Sequence, residues 1–345
     1  MVETMQCLQI EEWGGNLHLA DRPIPKAGDG EVLLEVEATS VGLTVSNVVN
    51  GDLGSSPDDL PRIPGHEIIG RVRETGAGVS HPEAGALVGS YFYLNCGYCS
   101  ACRRGNESLC ENLDGFVGVD TDGGFAEYVR LPAGNLLELP ERLDPVAATV
   151  VPDALATPYH VADQRANVAP GDEVLVLGAA GDVGIHLVQV AQYFGGEVTA
   201  VDRGEDGLER CRELGAKRTV DTARQTLSAA LDGDAGFDSV VDFTGSMELL
   251  AEATELLGPR GRLVNLTTFP GQTFDVSPRA QVFRETEVVG SRYCSKHEFA
   301  RSAELVAEGT IEPVVSEVVE MDETGRLLER IRAGDIVGRA AMVPE

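Results

Sequence analysis

Four of the chain's seven cysteines fall within YLNCGYCSACRRGNESLC, residues 93 to 110. Cys96, Cys99, Cys102 and Cys110 follow the spacing C-x2-C-x2-C-x7-C. That spacing lets four thiolates reach one ion, and a tetrahedron of sulfurs suits zinc or an iron–sulfur centre. A site closed by four thiolates has no open position for substrate, so its expected work is to stiffen a loop with little core of its own. Cys7 and Cys211 read as packing residues, and Cys294 has no assigned role.

A second stretch, VLGAAGDVGIHLVQVA, has the form of a phosphate cradle. An apolar strand is expected to end at Gly178, with a tight turn after it and a helix opening near Asp182 and Val183. Gly181 and Gly184 take the second and third glycine positions of a G-x-G-x-x-G pattern, and Ala179 takes the first. Gly181 would let a pyrophosphate approach the backbone, and Gly184 would let the helix pack closely on the strand. The free N–H groups of the helix start favour anions. Asp202 follows at the end of the next expected strand, placed for ribose hydroxyls. An acid there repels a 2′-phosphate, so NAD is favoured over NADP; Arg203 beside it keeps NADP open.

The elements that must position these residues change character along the chain. Up to about residue 155, short apolar runs such as EVLLEVEA (31–38), EIIGRVRET (67–75) and ALVGSYFYL (86–94) read as strands between Gly- and Pro-rich turns. From Pro170 strands and helices alternate. Strands are expected at 172–178, 197–202, 217–221, 237–245, 261–267 and 286–291, and helices at 184–194, 207–214, 226–232 and 246–257. This pattern predicts an α/β chain with a doubly wound, six-stranded parallel sheet covered on both faces. The last fifty residues are expected to hold one helix, 297–309, and strand-like pieces that return to the first domain. The expected division is 1–155 with a cysteine lobe at 93–113, 156–294, and 295–345.

Asp and Glu number 56 against 27 Lys and Arg, a formal net charge of −29 spread along the chain. Phosphate backbones and anionic lipids need a basic face, so neither nucleic acid nor membrane is an expected partner. Self-repulsion on this scale points to a protein built for high salt. No apolar run reaches the ~20 residues of a membrane helix, and the acidic N-terminus lacks signal-peptide features. A cytoplasmic protein is expected, in a reducing compartment where clustered thiols are metal ligands rather than disulfides.

Taken in order, PGHEIIGRV at 64–72, the cysteine lobe at 96–110, GGFAEYV at 123–129 and the nucleotide turn at 178–184 resemble the zinc-type alcohol dehydrogenase family, the medium-chain dehydrogenases. The resemblance covers essentially the whole chain. It implies a GroES-like, mostly-β catalytic domain, a Rossmann domain, and a tail that returns to the catalytic domain. It also implies hydride transfer between nicotinamide and an alcohol, polyol, sugar or carbonyl compound, in homodimers or homotetramers. A second, catalytic zinc is implied, with His66, Glu67 and Asp153 as the candidate ligands and Thr44 passing the alcohol proton. Thr157, Thr244 and Arg339 match positions that approach the cofactor, Arg339 at the pyrophosphate.

The stretch SVGLTVSNVVNG, residues 40 to 51, departs from the family pattern. Gly42 stands where the first ligand cysteine belongs. Val45 replaces an acid that orients the ligand histidine, Asn47 a relay histidine, and Leu43 a position that is often basic. Three readings follow. Zinc is held by His66, Asp153 and Glu67 with water; or only the structural zinc stays and the chain reduces aldehydes or enones, with Thr44 or Asp153 as proton donor; or the chain binds NAD without turnover. His18, His81, His160, His186 and His297 read as structural.

Overall fold

The computed structural model describes residues 3–53, 56–231, 236–267 and 271–344. It forms two compact units, Met1–Ala156 with Cys294–Glu345, and Thr157–Tyr293.

The first unit contains β1 (Thr4–Ile10), β2 (Leu17–Pro23), β3 (Glu31–Val41), β4 (Ile68–Thr75), β5 (Leu87–Ser90), β6 (Tyr128–Pro132) and β7 (Leu136–Glu138). β1 and β2 pair as an antiparallel ribbon. The others join a seven-stranded sheet whose long central member is β3, rich in Val and Leu and buried along most of its length. Register shifts against β4 interrupt its ladder at Leu33/Leu34 and at Val36/Ala38. Val32, Leu34, Ile68, Val88, Val129 and Leu131 share one core cluster.

The second unit carries β8 (Glu173–Leu177), β9 (Glu197–Asp202), β10 (Arg218–Asp221), β11 (Phe237–Asp242), β12 (Leu257–Asn265) and β13 (Glu287–Gly290). They form one six-stranded sheet in the order β10-β9-β8-β11-β12-β13, with every neighbouring pair parallel. The expected doubly wound domain is therefore present. Its strand order reverses at β8, with β9 on one side and β11 on the other, and such a switch point is where these sheets leave a crevice for ligands.

The chain's end returns to the first unit. β14 (Val315–Glu320) pairs parallel with β15 (Arg339–Val343), and β15 pairs antiparallel with β3. The last fifty residues hold two helices, not one: Lys296–Ala307 and Thr324–Ala333. In the second, Leu327 and Leu328 are buried and Ile331 packs on the same core. Its run of arginines and acids hides that narrow apolar stripe from a reading by composition. A helix also forms over Leu43–Asn50, a stretch for which no element is expected above; its valines have low helix propensity, and Val45, Val48 and Val49 are buried. The strand expected over 86–94 ends at Ser90, where Tyr91 turns inward and donates to the Cys294 carbonyl at 2.6 Å. The helix expected at 226–232 spans Leu227–Ala230, and Asp232 lies outside the described residues.

Candidate functional site

The glycine turn forms at the end of β8, where strand backbone gives way to helix. Gly178 takes φ +78°, and the helix runs Gly184–Tyr193. A side chain at Gly184 would strike the Gly178 carbonyl oxygen and come within 3.0 Å of the Ala179 Cα, so only glycine lets this helix start so close to the strand. Asp182 and Val183 sit between, and Val183 precedes the helix without a side-chain cap. Asp202 ends β9 beside this turn. Its carboxylate accepts from the Ala180 N–H at 2.7 Å and from the Arg203 N–H at 2.7 Å. Each oxygen keeps acceptor capacity for a ligand hydroxyl. Arg203 is exposed. The cradle and the fixed acid together suit a dinucleotide.

Across the switch point, Thr244 follows β11, with its Cγ2 3.2 Å from where a Gly178 side chain would begin. Its hydroxyl donates to Asp242 Oδ1 at 2.6 Å, and Asp242 also accepts from the Thr244 and Gly245 N–H groups at 3.0 Å. Burial pushes the Asp242 carboxyl up, and these donors oppose that shift. Asp242 thus shapes the β11 turn. The sequence reading missed it, although an acid closing the apolar run FDSVVD was the available signal. Thr157 is buried in the short helix Ala156–His160.

In the cysteine lobe the four sulfurs all lie within 4.8 Å of one another. Cys99–Cys102 and Cys110–Cys96 are 3.5 Å apart, and Cys99–Cys110 4.0 Å. Zinc–sulfur bonds of 2.3 Å in a tetrahedron require about 3.8 Å, so the donor set fits that ion. Backbone N–H groups of Cys96, Cys99 and Cys102 point at sulfurs, at 3.3 to 3.5 Å, and stabilise thiolates. The Cys102 N–H and other donors pull the Cys99 thiol down to about 6, whereas burial pushes the Cys102 thiol up to about 12, as expected of sulfurs crowded together. Lys296, half-hidden under the lobe, donates to the Gly134 carbonyl at 2.6 Å; burial pushes its ammonium down, and Glu107 and then Cys102 and Cys110 oppose that. It too escaped the sequence reading.

The third cluster surrounds the GHE loop. Ser90, at the end of β5, donates to the His66 carbonyl at 2.6 Å and accepts from the Ile68 N–H at 3.0 Å, which fixes the loop. The His66 ring packs against Phe92 at a tilt of 45° with centroids 4.4 Å apart, and its Nε2 lies 3.5 Å from Asp153 Oδ2. Burial pushes the His66 imidazole below its ordinary value, against the pull of Asp153. Asp153 sits in a π-helical turn, Val151–Leu155, in which the Leu155 N–H reaches back to the Val150 carbonyl at 2.8 Å. Thr44 lies on the first turn of the helix Leu43–Asn50 and is partly exposed.

Glu67 does not join His66 and Asp153. Its Oε1 accepts from the Ala154 N–H at 3.2 Å, and its Oε2 pairs with the Arg339 guanidinium. Arg339, which the resemblance matches to a pyrophosphate-binding position, is 2% exposed. Its Nε donates to Ser40 Oγ at 2.6 Å. Burial alone would pull this guanidinium down to about 9; the Glu67 carboxylate in contact opposes that, and the two form a buried ion pair. Among the described residues, only the four cysteines bring three or more metal-ligating atoms together. His66, Glu67 and Asp153 do not form such a group, and a catalytic zinc takes three donors from the protein.

Two family models match the chain: the alcohol dehydrogenase GroES-like domain over residues 28–141, and zinc-binding dehydrogenase over residues 183–308. An alcohol dehydrogenase of Moraxella sp. (strain TAE123) is 32% identical over 97% of this chain and 98% of its own. The L-galactonate-5-dehydrogenase of Escherichia coli (strain K12) is 31% identical over 84% of each chain. Among solved structures, the cobalt- and zinc-bound thermostable alcohol dehydrogenase of Pyrobaculum aerophilum superposes with a TM-score of 0.89, at 31% identity over 99% of this chain and 100% of that one.

Proposed function

The chain belongs to the zinc-type alcohol dehydrogenase family of oxidoreductases, and from that footing we propose that it interconverts a small hydroxylated compound and its carbonyl, with NAD as the favoured carrier. The observation that carries the cofactor choice is Asp202, anchored by two backbone N–H groups at the end of β9. A carboxylate held there accepts ribose hydroxyls and repels a 2′-phosphate. When bound, NAD supplies the hydride acceptor. Thr44 is the residue proposed to take the substrate hydroxyl proton, with His66 and Asp153 orienting the oxygen. The Escherichia coli relative supports hydroxyl-rich substrates as the first to try.

Binding of NAD and NADP to the wild type and to Asp202→Gly tests this directly. The wild type should bind NAD at least about tenfold more tightly, roughly 1.4 kcal/mol. The variant should lose most of that preference. Tighter NADP binding by the wild type would refute it.

The cysteine lobe is proposed to hold one structural zinc, which fits a reducing, cytoplasmic setting. An assembly of two or four copies is supported by β13, an edge strand of the parallel sheet, with Val282 and Phe283 more than two-thirds exposed nearby.

A further inference from the structure

We propose that the position of the family's catalytic metal is closed in this protein by the Arg339–Glu67 ion pair, and that the chain binds a single metal ion, in the cysteine lobe. The inference rests on the hydride-transfer reading above and adds that the chemistry proceeds at a centre without a second zinc.

Strand register is the first support. β15 begins at Arg339 and runs antiparallel to the end of β3, with Ala340 opposite Val41 and Ala341 opposite Ser40. Arg339 is thereby brought level with Gly42. A Cβ built on Gly42 would meet Arg339 Nη1, with Cζ 2.7 Å away. Gly42 is extended, with φ −144°, so its backbone would accept any residue. The absent side chain is a matter of space: the guanidinium occupies the room a cysteine at residue 42 would need. The missing side chain at residue 42 and the inward path of Arg339 are therefore spatially linked.

The second support is the commitment of Glu67. One oxygen accepts from the Ala154 N–H and the other pairs with Arg339, so its negative charge is already balanced by the guanidinium and is not left over for a metal. The pair is buried at both ends, 2% and 0% exposed. Any dication here would sit beside a buried guanidinium, where like-charge repulsion is weakly screened. His66 and Asp153 alone remain, two donors where such sites use three.

Elemental analysis of the full chain, purified in high salt with zinc supplied, tests the inference. The wild type and His66→Ala should both carry about one zinc per chain, and Cys96→Ser/Cys99→Ser about none. Gly42→Cys alone should gain no zinc, because Arg339 still fills the space. About two zincs in the wild type, falling to one in His66→Ala, would overturn the inference; so would a second zinc in Gly42→Cys. The wild-type and His66→Ala counts decide even if the cysteine variant fails to fold. NAD-linked turnover on the same samples separates the two readings. Two zincs with turnover sink this inference and leave hydride transfer standing. One zinc with no turnover across alcohols, polyols, sugars and aldehydes supports the inference and sinks the hydride-transfer reading.

Discussion

Arg339 and Glu67 show how much can turn on two side chains far apart in sequence. Removing one partner of a buried ion pair leaves the other uncompensated, which costs about 3–5 kcal/mol. Arg339→Met and Glu67→Leu should each lose stability of that order in denaturant titrations. The double variant should be less destabilised than the sum of the singles, because it leaves no orphaned charge. Full additivity would mean the pair does not exist in solution. Gly42→Ala belongs to the same test. Overpacking against the guanidinium should cost about 1–3 kcal/mol, and most of that should be recovered in an Arg339→Ala background. The sequence could show that a cysteine was missing at residue 42. It could not show what replaced it, because the contact arises from a β15–β3 register some three hundred residues apart in the chain.

At the scale of elements, legibility followed locality. The parallel sheet and its glycine turn were readable because period, glycine positions and the terminal acid of β9 all lie within a few dozen residues. The helix Thr324–Ala333 was not, because only Leu327, Leu328 and Ile331 mark its inner face among charged neighbours. The helix behind the glycine turn makes a pH prediction. His186 is fully buried in it, and its Nδ1–H donates to the Asp182 carbonyl at 3.2 Å. Burial lowers its pKa from 6.5 to about 4. The folded protein therefore keeps this imidazole neutral while the unfolded chain takes up a proton. Stability is unaffected above pH 6.5 and is lost as pH falls from there toward 4, by up to about 3 kcal/mol. Denaturant midpoints across that window should fall more steeply for the wild type than for His186→Leu. Equal slopes would show that His186 is already protonated in the fold. Gly184→Val should abolish NAD binding, measured by calorimetry, because the helix can no longer approach the Gly178 carbonyl.

For the whole molecule, charge and metal content are the governing quantities. With 56 acids against 27 bases, self-repulsion is poorly screened in dilute buffer, and exposed pairs such as Arg301 with Glu304 offset little of it. The melting temperature should rise steadily from low to molar potassium chloride. A flat response would remove the case for a high-salt protein. On the proposal above, hydride transfer proceeds with the cysteine lobe loaded and Arg339 standing where the family pattern implies a metal site. The most direct measurement is NAD-linked turnover as a function of zinc bound per chain, on protein whose zinc is counted before each assay. Turnover that is complete at about one zinc per chain, and unchanged by further zinc, is the predicted result. Activity that appears only as a second zinc binds would contradict it.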